Sequence, residues 1–267
     1  MLWQRLLTAA LLIPLLIWAD YALASRYFAL LIAAIILCGA WEWARLTGFT
    51  RPLQRPGYVL LTAAALWGAL QLPLQLLLWT ALAWWAIALL WVLRFPRDER
   101  TWSQPAVAGV AGMLALVPAW RALSALHEDY GPHAVLFLLG MIWLADSAAY
   151  FTGRRWGARK LAPLVSPGKT WEGVQGAAAA ALVTALAGGA LAGLDAGAFA
   201  LFVLLCLATV AVSIVGDLFK SMYKRHAKVK DSGALFPGHG GVLDRIDSLT
   251  SAAPVFVLGL IYMERWL

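Results

Sequence analysis

Charge is scarce in this 267-residue chain. Only 13% of its residues are Asp, Glu, Lys or Arg and 62% are hydrophobic, where a soluble domain carries roughly 25% charged residues. That deficit excludes an ordinary soluble fold. Cysteine is nearly absent as well. Cys38 and Cys206 each stand alone in an apolar run, with no metal-ligand spacing and no near partner, so we read them as packing groups that say nothing about redox compartment. The four histidines, His127, His133, His226 and His239, show no zinc spacing, and the spaced glycines of a phosphate-binding P-loop are missing. No basic segment is interleaved with aromatics, which excludes nucleic acid as a partner. No internal repeat suggests an inverted-repeat transporter.

What the chain has instead is a succession of apolar runs, each near the length needed to cross a ~30 Å hydrocarbon layer as a helix. Only helices satisfy their backbone polar groups within one segment in lipid, so the expected fold class is all-α, a polytopic transmembrane helical bundle. Nine spans are expected, over 5–24, 27–46, 57–72, 74–93, 105–123, 132–152, 173–193, 196–219 and 248–264. The third has the length of a re-entrant segment. Nine spans put all but three of the 21 Lys and Arg on one side of the membrane, the exceptions being Arg26, Arg121 and Arg265. The positive-inside rule makes that side cytoplasmic, together with the N-terminus. Arg5, the run after it and Ala22-Leu23-Ala24 resemble a signal peptide with its cleavage site, but we read this segment as a retained first helix.

The chain divides into residues 1–130, about five helices with little chemistry, and a catalytic region over 131–267. Trp41, Trp43, Trp84, Trp85 and Trp91 read as interface anchors or packing groups. Glu42 is the ionisable exception, expected to reach the cytoplasmic interface or pair with Arg45. The Ala- and Gly-rich span from residue 173 suits close helix approach near the bundle centre.

Three stretches carry chemistry. Asp146 lies inside an apolar run, where a carboxylate is costly unless paired, metal-bound or facing water, and it shares a helix face with Tyr150 and Gly153. Ser166 to Gly173 offers Lys169 and Thr170 near a helix N-terminus, a natural place for phosphate. In that stretch Glu172 is either a helix-dipole partner or a metal ligand. The third stretch, Asp217 to Asp247, concentrates Lys220, Lys224, Arg225, Lys228, Lys230 and Arg245 with Asp217, Asp231, Asp244 and Asp247 around a Pro-Gly-His-Gly-Gly hinge. Ser213, Asp217, Ser221 and Lys224 form one polar stripe if the preceding span continues as a helix. A lipid-binding polybasic loop needs neither the aspartates nor His239. Bases for phosphate oxygens beside carboxylates for a hard divalent ion describe a phosphoryl- or nucleotidyl-transfer site.

The run Ser221, Lys224, Arg225, Lys230, Asp231, Gly233, Phe236, Pro237, His239, Gly240, Gly241, Asp244, Arg245 and Asp247 resembles the signature of the phosphatidate cytidylyltransferases, or CDP-diacylglycerol synthases, without departure. Asp146, Ala149, Tyr150, Gly153 and Arg154, and Ser166, Pro167, Lys169, Thr170, Glu172 and Gly173, resemble further blocks of that family. The resemblance covers roughly residues 140–250. It implies CTP and phosphatidate as substrates, CDP-diacylglycerol and pyrophosphate as products, and Mg²⁺, with room for a second metal ion. It further implies a bacterial-type inner membrane, contact with membrane lipids, no nucleic acid, and allows a homodimer. Carried onto this chain, the catalytic set is Asp217, Asp244, Lys224, Arg225, Lys230, Asp231 and His239. Substrate binding falls to Ser166, Lys169, Thr170, Ser221, Gly240, Gly241 and Arg245. The metal ligands are Asp217 and Asp244, helped by Asp146, Asp247 and Glu172. The polar stripe from Asp217 to Ser213 would wall a lateral opening for the lipid. A CTP-dependent lipid kinase and a transporter of an anionic metabolite are the rival readings.

Overall fold

A computed structural model describes residues 2–235 and 240–264. The described residues form ten helices and one small hairpin. In order these are α1 (Leu2–Ala22), α2 (Ser25–Leu46), α3 (Gln54–Ala69), α4 (Leu74–Arg94), α5 (Glu99–Trp102), α6 (Pro105–Tyr130) and α7 (Pro132–Trp156). Strands β1 (Lys160–Ala162) and β2 (Ser166–Thr170) follow, then α8 (Trp171–Leu191), α9 (Ala196–His226) and α10 (Leu243–Glu264). Among the described residues, α2, α4 and α6 to α10 are long and apolar enough to cross a membrane. The protein is an integral membrane helical bundle. Helix α3, at 16 residues, rises about 24 Å, less than the ~30 Å hydrocarbon core.

Each expected span has a helix, and the differences fall at polar ends. Helix α9 runs to His226 rather than 219, because Lys220, Ser221 and Lys224 find partners that let the helix continue past the apolar run. The hairpin and α5 carry no apolar run and escaped a reading based on hydropathy. Trp102 of α5 is nonetheless fully buried, and its carbonyl accepts a 2.8 Å bond from Tyr223 Oη.

Helix α6 occupies the centre of the bundle, with 67% of its apolar window buried. Helix α8 does not, at 28%, and exposes Val183 and Leu191. Its small residues act on one side only: a Cβ on Gly176 would come within 2.2 Å of Thr152, so α7 and α8 approach closely there. Thr170 caps α8 by accepting from Gly173 N at 3.1 Å, and Asp195 caps α9 through Gly197 N and Ala198 N. Beneath the charged end of α9, the rings of Trp43, Trp84, Trp85 and Tyr223 surround Phe219 with centroids 5.2–5.7 Å away. Trp43, Trp84 and Trp85 are therefore packing groups, whereas Trp41 is 47% exposed.

Candidate active site

Helical spacing places Asp217, Lys220, Ser221 and Lys224 on one face of α9, and Asp244, Asp247 and Ser248 on one face of the first turns of α10. These two faces meet. Lys220, 4% exposed, sits between Asp244 Oδ1 at 3.1 Å and Asp247, to which it bonds directly. Lys224 Nζ lies 3.0 Å from the same Asp244 oxygen. From the hairpin, Lys169 Nζ reaches Asp217 Oδ2 at 2.6 Å, and Ser221 Oγ donates to Asp217 Oδ1 at 3.3 Å. Asp146 of α7, exposed at the edge of the cluster, accepts a long 3.4 Å bond from Ser248 Oγ. The result is a lattice of three ammonium groups paired with Asp217, Asp244 and Asp247 from β2, α9 and α10, with Asp146 of α7 attached at its edge through Ser248 alone. Removing Lys220, the deeply buried member between Asp244 and Asp247, strands its partners, a loss on the order of 3–5 kcal/mol.

The loop between α9 and α10 is held by two carboxylates, the second oxygen of Asp244 and a further acid, Glu42. Asp244 Oδ2 accepts from Ser232 N at 2.8 Å, Ser232 Oγ at 2.9 Å and Gly241 N at 3.1 Å. Glu42 reaches in from α2, 7% exposed, and accepts from Val242 N at 2.9 Å and Leu243 N and Ser232 Oγ at 2.8 and 2.9 Å. Both acids thus meet the amides leading into α10, where the helix dipole favours negative charge. The glycines make this closeness possible. A Cβ on Gly233 or on Gly241 would fall 2.2 Å from a Glu42 oxygen, and Gly240 has φ +79° with Asp244 Oδ2 2.7 Å from its missing Cβ.

Several expected site residues have other employment. Glu172 accepts from Ala158 N and Arg159 N at 3.1 and 3.2 Å and pairs with Arg159, which fixes the turn after α7 rather than joining the aspartates. Thr170, 4% exposed, commits its hydroxyl to the α8 cap and packs against Gly153 and Gly157. Arg225 Nε donates to Val165 O at 3.0 Å and so fastens α9 to the hairpin. Lys230, Asp231 and Arg245 are exposed, and Ser166 is half-buried at the start of β2. His239 lies outside the described residues. Ser213 is 1% exposed with its hydroxyl turned back to Val210 O, so it is packed inside the bundle and does not wall an opening.

Lys220, Ser232 and Ser248 were not expected in the site, and Glu42 was expected to reach the cytoplasmic interface or pair with Arg45. Lys220 left a signal, an ammonium one turn after Asp217 in an apolar helix. Glu42 left only its charge, because its partners lie some 200 positions away. Among the described residues, no three His, Cys, Asp or Glu side chains stand close enough to hold a metal as arranged. The donor chemistry is nonetheless of the hard-oxygen kind. Asp217, Asp247 and Asp146 keep oxygens that meet only lysine or serine side chains or a single amide. Asp244, with five donors on its two oxygens, is saturated.

The model of the cytidylyltransferase family matches residues 3–263 of the chain. The chain is 44% identical to a phosphatidate cytidylyltransferase of Pseudomonas aeruginosa, over all of this chain and 99% of that protein. It is 41% identical to one of Haemophilus influenzae over 96% of this chain and 97% of the other. A phosphatidate cytidylyltransferase of Bacillus subtilis is 42% identical over half of each chain.

Proposed function

This chain belongs to the cytidylyltransferase family, and from that premise we infer that it transfers CMP from CTP to phosphatidate, producing CDP-diacylglycerol and pyrophosphate for phospholipid biosynthesis. The observation that carries the reading is the lattice of Lys169, Lys220 and Lys224 with Asp217, Asp244 and Asp247 at the charged end of α9. Here cations are preset, and anionic phosphates can replace carboxylates as their partners.

A phosphatidate phosphate oxygen attacks the α-phosphorus of CTP. The new oxygen–phosphorus bond forms as the bond to the bridging α,β oxygen breaks, and pyrophosphate leaves with that electron pair. The attacking oxygen is already ionised near neutral pH, so positioning and charge neutralisation carry the catalysis. Lys169 and Lys224 are placed to bind phosphate oxygens, one from the hairpin and one from α9. Lys220, more deeply buried, holds Asp244 and Asp247 at a fixed separation. Ser221 orients Asp217, and Arg225 keeps the hairpin, and with it Lys169, against α9.

For Mg²⁺ we assign Asp217, Asp247 and Asp146 as the carboxylates that would hold it, with Asp244 as a loop anchor; a second ion is left to experiment. Bound there, the ion would neutralise triphosphate charge. We place the charged loops on the cytoplasmic side of a bacterial inner membrane, supported by the one-sided Lys and Arg, and carry a homodimer as the assembly to test by light scattering.

The test is purified protein with labelled CTP, phosphatidate and Mg²⁺. CDP-diacylglycerol with stoichiometric pyrophosphate is expected. Release of CDP with a phosphorylated lipid would assign a lipid kinase instead.

A further inference from the structure

A cavity of about 670 Å³ lies between α2, α3 and the loop after α9, beside the aspartate–lysine lattice and lined by none of its members. Leu37, Cys38 and Trp41 of α2 and Val59 of α3 line it below, and Arg45 and Arg55 close its upper end. Residues 232–235 form the remaining wall. None of Asp146, Lys169, Asp217, Lys220, Lys224, Asp244 or Asp247 takes part.

The cavity is polarised along the axis of α2, a candidate membrane span. From Leu37 to Arg45 is eight residues of helix, about 12 Å of rise, so it runs from the apolar part of a candidate span to the basic end where α2 stops. Arg45 is exposed, and Arg55 spends only its Nε, on Phe49 O at 3.1 Å. The terminal nitrogens of both guanidiniums remain for a ligand. Two guanidiniums match a phosphate oxygen set bidentately, and Trp41, 47% exposed, has the amphipathic ring that settles at the headgroup level. Glu42 lines the cavity too, but its carboxylate is spent on Val242, Leu243 and Ser232. A soluble anion would not require an apolar wall two turns deep.

We propose that this cavity is a berth for a non-substrate anionic glycerophospholipid, its phosphate held by Arg45 and Arg55 and its upper acyl chain lying along Leu37, Cys38 and Val59. The berth shares a wall with the machinery. Ser232 donates its backbone N–H to Asp244 at 2.8 Å and its hydroxyl lies 2.9 Å from both Glu42 and Asp244, so a lipid packed against residues 232–235 braces the loop that positions Asp244. Anionic lipid therefore raises turnover without entering the reaction. That consequence rests on the reaction proposed above, whereas the binding does not.

The test is native mass spectrometry of the full chain in detergent with phosphatidylglycerol as the probe and phosphatidylcholine as the neutral control. Wild type retains phosphatidylglycerol selectively. The double variant Arg45→Gln/Arg55→Gln loses about tenfold or more in affinity, and Val59→Trp, which obstructs the apolar part of the cavity and leaves both arginines, loses it as well. Full retention by both variants overturns the proposal. So does displacement by soluble glycerol phosphate, which would mark a free-phosphate site. A phosphatidylglycerol site that phosphatidate empties in wild type but not in Asp217→Asn would belong to the substrate path, and likewise overturns it. Stimulation of CDP-diacylglycerol formation by phosphatidylglycerol, absent in the double variant, is the functional counterpart.

Discussion

Replacing Glu42 by Gln keeps its shape and removes its charge, and the structure makes the consequence calculable. Glu42 Oε1 accepts from Val242 N, and Oε2 accepts from Leu243 N and Ser232 Oγ. A glutamine has one oxygen, so its NH₂ group must face one of two backbone N–H donors less than 3 Å away, and that amide loses its acceptor. A hydrogen bond to a charged group contributes about 1.5–3 kcal/mol, and a stranded buried donor costs a comparable amount. Taking about 2–3 kcal/mol as the net loss, the population with the loop released from α2 rises about 30- to 150-fold. Hydrogen exchange at Val242 and Leu243 measures this directly, as an equal drop in protection, while the aromatic core around Phe219 keeps its protection. CDP-diacylglycerol formation falls with it, because Asp244 is fixed through the same Ser232. A second measurement isolates the cause. Gly241→Ala sets a Cβ 2.2 Å from Glu42 Oε2 and should destabilise the wild type by about 1–3 kcal/mol, but much less in a Glu42→Ala background, where the crowding atoms are gone. Unchanged exchange in Glu42→Gln, or additive effects of the two alanines, would refute the account of Glu42 as the loop's anchor.

Other outcomes follow from the same geometry. Lys220→Met removes the buried ammonium between Asp244 and Asp247, and product formation should fall about 100-fold or more, with a loss of roughly 3–5 kcal/mol visible as a lower unfolding temperature. Lys169→Met and Asp217→Asn break a pair at the partly open edge of the lattice. Each should lower product formation about 100-fold with little change in unfolding temperature, and near-normal activity in both would falsify their assignment. Stripping divalent ions with a chelator should abolish CDP-diacylglycerol formation, and added Mg²⁺ should restore it. Gly176→Leu should cost about 1–3 kcal/mol by overpacking against Thr152, read as reduced thermal stability in detergent.

The helical membrane class and the helix order were legible without coordinates, because a helix in lipid satisfies its own backbone and so advertises itself as a local apolar run. Concentrated charge marked Asp217 to Asp247 as the chemical end of the molecule for the same reason, since ionised groups persist in such a chain only where something holds them. Helical spacing likewise placed Asp217, Ser221 and Lys224 on one face, and Lys220 was within reach of the same reasoning. Tertiary structure alone decided which charges meet. It turned Glu172 and Thr170 to local turns and caps, buried Ser213 in packing, and set Lys220 at the centre of the lattice. It also brought Glu42 across 200 residues to the entry of α10. A hydrogen bond depends on positions to within a fraction of an ångström. Residues far apart in the chain acquire such positions only when the helices between them have packed.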